Sequence, residues 1–156
     1  LIDVHLMTKE PVDWVEKCVR AQADRIIGQI ELMSDQIEFV GKVQETGSKI
    51  GLALDLYTPI EKIDETIIKD LDVILLMSVQ AGFGGQSFQE KVLEKIEKLN
   101  LIRQGDQTPF RICVDGGINT DSIKRVKGSG ADEVVVGSSL FTGDITQNLL
   151  KLKEGA

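Results

Sequence analysis

Histidine occurs once in these 156 residues, cysteine twice, and nowhere do eighteen apolar residues run together. Cys18, in a helical pattern, and Cys113, in a strand pattern, are too few for a disulfide framework and stand at no metal-binding spacing. They read as small buried apolar groups of a reduced, cytoplasmic protein. With no long apolar run there is no candidate membrane-spanning helix, and the opening Leu1-Ile2-Asp3-Val4-His5 lacks the basic stretch and apolar core of a secretory signal. Positive charge is also short: 18 Lys and Arg against 25 Asp and Glu leave a net charge of −7. Such a field repels nucleic acid and anionic membrane, so neither is an expected partner. A phosphorylated small molecule would need local main-chain amides to hold it. The chain also opens without methionine, directly in a strand-like run, and a truncated start is expected.

What the sequence does have is apolar residues, 42% of the total, enough for a sizeable core in one domain spanning residues 1–156. Short apolar runs begin near Ile2, Arg25, Lys49, Asp72, Phe110 and Glu133, in steps of 23, 24, 23, 38 and 23 residues. A strand, a helix and two short loops need about that length, so six successive βα units and a parallel sheet are predicted. Ile50 to Leu54, Val73 to Met77 and Val134 to Val136 are continuous apolar runs, as expected of strands covered on both faces. Helical spacing lies between them. Val12, Val15 and Val19 follow Pro11, which suits a first turn. Val92, Leu93, Ile96, Leu99 and Ile102 form an apolar face, opposite which Glu94, Lys95, Glu97 and Lys98 are expected to be solvated. Gly47 and Gly130 read as left-handed helix stops, and Arg103 to Pro109 as a polar surface loop.

The strand from Val73 empties into Gly82-Phe83-Gly84-Gly85, three glycines in four residues. Glycine reaches positive φ and leaves no side chain in the way, so consecutive amides there can line a concave nest for phosphate. A plain flexible turn is the alternative. Asp115-Gly116-Gly117 and Gly137-Ser138 repeat the device, presenting bare amides where helices are expected to begin. In parallel α/β folds the carboxyl ends of the strands share one face, and that face carries the site. It gathers His5, Met7, Gln29, Glu31, Asp55, Ser78, Gln80, Asp115 and Ser138. The imidazole of His5 and the carboxylate of Asp115 are two ligands suited to a divalent metal, and Asp115 also suits a general acid or base.

The chain resembles the ribulose-phosphate 3-epimerase family over essentially its whole length. The resemblance rests on Asp3-Val4-His5-Leu6-Met7, on Met77-Ser78-Val79 with Gly82-Phe83-Gly84-Gly85-Gln86-Ser87-Phe88, on Val114-Asp115-Gly116-Gly117-Ile118, and on Gly130-Ala131-Asp132 with Gly137-Ser138. It implies a (β/α)8 TIM barrel with about six of its eight units present here. It also implies an isomerase of the pentose phosphate pathway that interconverts ribulose 5-phosphate and xylulose 5-phosphate by moving the C3 proton. His5 and Asp115 would be ligands of a divalent cation, zinc, manganese, iron or cobalt. Asp115 would be one of two acid/base carboxylates, and Met7 and Met77 would lie beside the enediolate. His5, Gly82, Phe83, Gly84, Gly85, Gly116, Gly117, Gly137 and Ser138 would contact the sugar phosphate, and a homo-oligomer is expected.

Two family units, one carrying the second carboxylate and further metal ligands, have no counterpart here, so the chain as written is expected to lack useful turnover. Gln29 stands where the family usually has histidine, Asp55-Leu56 where it has Asn-Pro, and Gln80-Ala81 where it has Asn-Pro or Glu-Pro. These departures keep open an epimerase of another ketose phosphate, such as a hexulose 6-phosphate, and a non-catalytic phosphosugar-binding protein.

Overall fold

The computed structural model describes residues 1–105 and 110–156. Six strands, β1 (Asp3–Leu6), β2 (Arg25–Gln29), β3 (Lys49–Leu54), β4 (Val73–Met77), β5 (Arg111–Asp115) and β6 (Glu133–Val135), lie in chain order in one sheet. Every neighbouring pair is parallel. Their starts fall within one residue of those expected from the apolar runs. Parallel neighbours require crossovers, and α1 (Val15–Arg20), α2 (Gln36–Thr46), α3 (Lys91–Gln104) and α4 (Ser122–Gly128) supply four of them. Pro11 opens a 3-10 turn, Pro11–Trp14, that leads into α1. Gly47 ends α2 at φ 75°, and Gly130 turns the chain after α4 at φ 106°.

The fifth crossover, from β3 to β4, departs from the helical unit. It contains only two 3-10 turns, Ile60–Lys62 and Ile68–Asp70. Pro59 precedes the first, and the Asp64 carboxylate captures the Thr66 amide at 2.8 Å and its hydroxyl at 2.6 Å. A side chain that bonds local backbone competes with helix propagation, and the isoleucines around it are stiff at χ1.

Alternation along the strands separates two apolar layers. Ile26, Leu52, Leu54, Ile74, Leu76, Ile112 and Val114 pack outward with Val15, Phe39, Val43, Ile96, Leu99 and Val126 of the helices. Ile27, Ala53, Val73, Leu75, Met77 and Cys113 form a second cluster on the inner face. Arg25 crosses that face: from β2 it donates to Asp3 on β1 and, at 2.6 Å, to Glu133 on β6. A flat sheet cannot bring β2 and β6 together across three intervening strands, so the sheet is curled into a half-barrel.

Register is pinned at the amino ends by aspartates one residue before alternate strands. Asp24 accepts from Ile2 N at 2.6 Å, Asp72 from Ile50 N at 2.8 Å and Asp132 from Ile112 N at 2.8 Å. Each carboxylate thus ties the strand it precedes to the start of its neighbour.

Three expectations need correction. β6 is not buried on both faces: Val134 is half-buried and Val135 is 42% exposed, because among the described residues β6 is an edge strand with no neighbour beyond it. Arg103 belongs to α3 rather than to a loop. Its guanidinium pairs with Asp132 and donates to Gly130 O at 2.7 Å, tying α3 to the turn before β6. Residues 106–109 of that expected loop lie outside the described residues. Lys95, the third, is buried rather than solvated. α5 (Ser138–Phe141) and α6 (Ile145–Gly155) complete the chain, and among the described residues no helix is long and apolar enough to cross a membrane.

Candidate functional site

A cavity of about 310 Å³ opens at the carboxyl ends of β4, β5 and β6. Met7, Met77, Gly82, Phe83, Gly84, Gly85, Asp115, Gly116, Gly117, Gly137 and Ser138 all line it. Every residue expected to contact substrate is therefore brought together there except His5, which is not part of the lining. Val79, Gln86, Ile118 and Val135 complete the wall.

The glycine loop is braced by side-chain bonds. Gln86 Nε2 donates to Gln80 O at 2.7 Å and to Phe83 O at 2.8 Å, closing the loop on itself. Asp55 Oδ1 accepts from Ala81 N at 3.3 Å and anchors its base to the end of β3. Gly82 and Gly85 take φ of 98° and 74°, the left-handed conformation in which successive amides converge. The second glycine pair abuts this loop. A Cβ on Gly117 would lie 2.3 Å from Phe88 N, so the two loops can approach only because that carbon is missing.

α4 does not begin at Gly117. It begins at Ser122, where Asn119 Oδ1 accepts from the amides of Asp121 at 2.9 Å and Ser122 at 3.0 Å. The side chain of Asn119 takes those donors, while Gly116 and Gly117 remain at the cavity. At the end of β6 the expectation holds, with Gly137 capping α5 and Ser138 opening it.

Asp115 is half-buried, and burial pushes its carboxyl above the usual range, opposed by the nearby His5 and the Gly116 backbone. His5 occupies the inner face of β1, in register with Ile27. Burial lowers its pKa, against the pull of its Gln29 hydrogen bond and of the Asp115 and Glu31 charges. Its Nδ1 is buried with no hydrogen-bond partner among the described residues. An unpartnered imidazole nitrogen electrostatically coupled to a carboxylate suits two positions of a divalent cation's shell. Two ligands are fewer than a tight site needs, and among the described residues no group of three or more His, Cys, Asp or Glu is placed to hold a metal.

Beneath this pair runs a connected polar chain. Gln29, 2% exposed, meets His5 Nε2 with its Oε1 at 2.8 Å and donates from Nε2 to Glu31 at 2.6 Å. Glu31 also accepts from Asp55 N at 2.8 Å, and Lys95 Nζ donates to Asp55 O at 2.7 Å. Lys95 is thus buried rather than solvated, and burial lowers its pKa to about 8. The signal was in the spacing. Lys95 stands three residues after Val92 and four before Leu99, on the buried stripe of α3 rather than opposite it.

The sequence model of the Ribulose-phosphate 3 epimerase family matches residues 1–141. A ribulose-phosphate 3-epimerase from Treponema pallidum is 33% identical over 154 residues, covering 99% of this chain and 70% of the relative. Those from Serratia marcescens and Escherichia coli K12 are 39% and 40% identical, each covering 90% of this chain and 66% and 62% of the relatives. The chain thus spans about two thirds of the length of the curated relatives it matches. In shape it is similar to orotidine 5'-monophosphate decarboxylase from Sulfolobus solfataricus, with a TM-score of 0.68 at 13% identity, covering 99% of this chain and 74% of that one. A 3-hexulose-6-phosphate synthase gives 0.64 at 15% identity, covering 98% and 72%. At such identities these two likenesses bear on the fold alone.

Proposed function

The chain belongs to the ribulose-phosphate 3-epimerase family, and from that premise we propose that it forms the substrate cavity of an enzyme that interconverts D-ribulose 5-phosphate and D-xylulose 5-phosphate. The observation that carries this reading is the convergence of one carboxylate, two methionines and three glycine-bearing segments on a single cavity. The main-chain amides of Gly82 to Gly85, Gly116, Gly117, Gly137 and Ser138 bind the phosphate without a cation, which agrees with the negative charge of the chain. Met7 and Met77 give the reacting carbons an apolar, polarisable wall that keeps water from the intermediate.

Asp115 moves the C3 proton. Its raised pKa makes it a better proton acceptor than a solvated carboxylate, and it lines the cavity at the end of β5. His5 and Asp115 would hold a divalent cation, zinc, manganese, iron or cobalt, whose charge stabilises the enediolate oxygens when it is bound. Inversion at C3 needs a carboxylate on each side of the carbon. Asp115 is the only acidic residue lining the cavity among the described residues, so these residues alone exchange the proton without turning the centre over efficiently.

The test is to incubate ribulose 5-phosphate with the chain and added divalent metal in deuterium oxide and to follow the C3 proton by NMR. Catalysed loss of that signal, abolished by Asp115→Asn, supports the reading. Absence of exchange together with no calorimetric binding of the sugar phosphate overturns it.

A further inference from the structure

We infer that Glu31 is a positioning residue: by orienting the Gln29 carboxamide it holds His5 in the tautomer that carries its proton on Nε2 and leaves Nδ1 bare. An ionised carboxylate accepts hydrogen bonds and donates none. Glu31 Oε2 lies 2.6 Å from the Gln29 side-chain nitrogen, so the NH2 end of that carboxamide faces Glu31. The oxygen end then faces His5, 2.8 Å from ring Nε2. A carboxamide oxygen has no proton to give, so the ring nitrogen supplies it. A neutral imidazole has only one N–H, which leaves the Nδ1 lone pair free.

The surroundings hold this polarity in place. Gln29 is 2% exposed, so water does not compete for its two ends. Glu31 is fixed by its second oxygen on Asp55 N at 2.8 Å, and Asp55 is fixed in turn by Lys95 Nζ on its carbonyl at 2.7 Å. His5 Nδ1 is buried and meets no acceptor among the described residues, so a proton placed there would go unpaired. A glutamine suits the relay because its two ends differ chemically and neither titrates. The chain of bonds thus runs from α3 through the loops after β3 and β2 to a ring on β1. Outer partners of this kind fix the ring orientation and basicity of a ligating histidine. Assignment of Nδ1 as the atom offered to a cation rests on the epimerase reading; the tautomer does not.

His5 is the only histidine, so imidazole nitrogens report on it without ambiguity. The experiment is long-range 1H–15N correlation NMR of the full chain, labelled with 15N-histidine and free of metal, at neutral pH. We expect one ring pattern, Nε2 protonated and Nδ1 bare, favoured by about tenfold or more. Glu31→Ala, and Glu31→Asp, whose carboxylate is one methylene too short to reach, should each bring the tautomer ratio down severalfold, with far-UV circular dichroism showing which variants are folded. An Nδ1-protonated or evenly mixed ring in the unsubstituted chain overturns the inference, as does an unchanged ratio in either folded variant. Zinc is then added: a shift of the Nδ1 resonance whose midpoint rises about tenfold in Glu31→Ala or Glu31→Asp supports both readings. A fixed tautomer with no zinc response leaves the role of Glu31 standing and removes His5 as a ligand.

Discussion

The hydroxyl of Ser78, fully buried just beyond β4, shares its proton between the carbonyls of Asp115, at 3.0 Å, and Gly116 on the neighbouring strand end. The Ser78 amide donates to Asp115 O as well, at 2.8 Å. The residue that opens the glycine loop therefore also fixes the backbone that carries the acid/base carboxylate. Ser78→Ala keeps the amide bond and strands the Gly116 carbonyl. It is expected to cost about 1–2 kcal/mol in urea unfolding, and to weaken sugar-phosphate binding severalfold in calorimetry because Gly116 is released.

Gly117 and Gly84 should respond oppositely to alanine. At Gly117, φ is +58° and the added carbon would sit 2.3 Å from Phe88 N, a backbone atom that cannot swing aside. Gly117→Ala should lose at least about 2 kcal/mol of stability and most sugar-phosphate affinity, as the two loops separate. At Gly84 the same carbon meets nothing within 4 Å and φ lies outside the left-handed region. Gly84→Ala should leave the thermal transition within about 2 °C of the parent, and any effect should appear in binding alone.

These two glycines show how far the sequence can be read. Strand starts were legible because short apolar runs recur at the length of a βα unit, most plainly in β3 and β4, which are buried on both faces. The cavity wall was legible because three glycine-bearing segments fall at the carboxyl ends of strands that share one face, where the structure brings them together. The burial of Lys95 is legible in its spacing from Val92 and Leu99, but its partner is not: the Asp55 carbonyl lies 40 residues away and no side-chain pattern announces a backbone acceptor. The missing helix between β3 and β4 was hidden in the same way, since Asp64 and Thr66 break it by a local bond rather than by glycine. The family resemblance implies that His5 contacts the sugar phosphate, yet it is not among the residues lining the cavity. One ring nitrogen, Nε2, meets Gln29 on β2 at 2.8 Å, while Nδ1 has no hydrogen-bond partner among the described residues.

Asp115→Asn separates chemistry from stability. Burial raises the carboxyl pKa, so its ionised form is a cost to the fold at neutral pH: stability from this group is highest when protonated and falls as pH rises past the unfolded value of 3.8 toward the raised folded one. Removing the charge should leave the urea midpoint at pH 7 equal or higher. The same variant should lower C3 proton exchange by about 10²–10⁴-fold. A loss of stability comparable to the loss of exchange would mean that the carboxylate serves the fold instead.

Lys95 provides the pH signature of the polar chain. Its pKa is about 8 in the folded chain, below the ordinary 10.5, because burial disfavours the ammonium. Below pH 8 both folded and unfolded states hold the proton, and the burial cost is present in full. Between pH 8 and 10.5 the unfolded chain binds more protons than the folded one, so stability from this group rises with pH. The 2.5-unit interval corresponds to an upper limit of about 3 kcal/mol. Lys95→Met keeps the stem and removes the charge, so it should lack this rise. The measurement is urea unfolding of both proteins at pH 7 and pH 10, read as the difference between them: stability relative to Lys95→Met should increase with pH in the parent. A flat difference would place the ammonium in contact with water, and the Asp55 end of the chain to His5 would then be free to move.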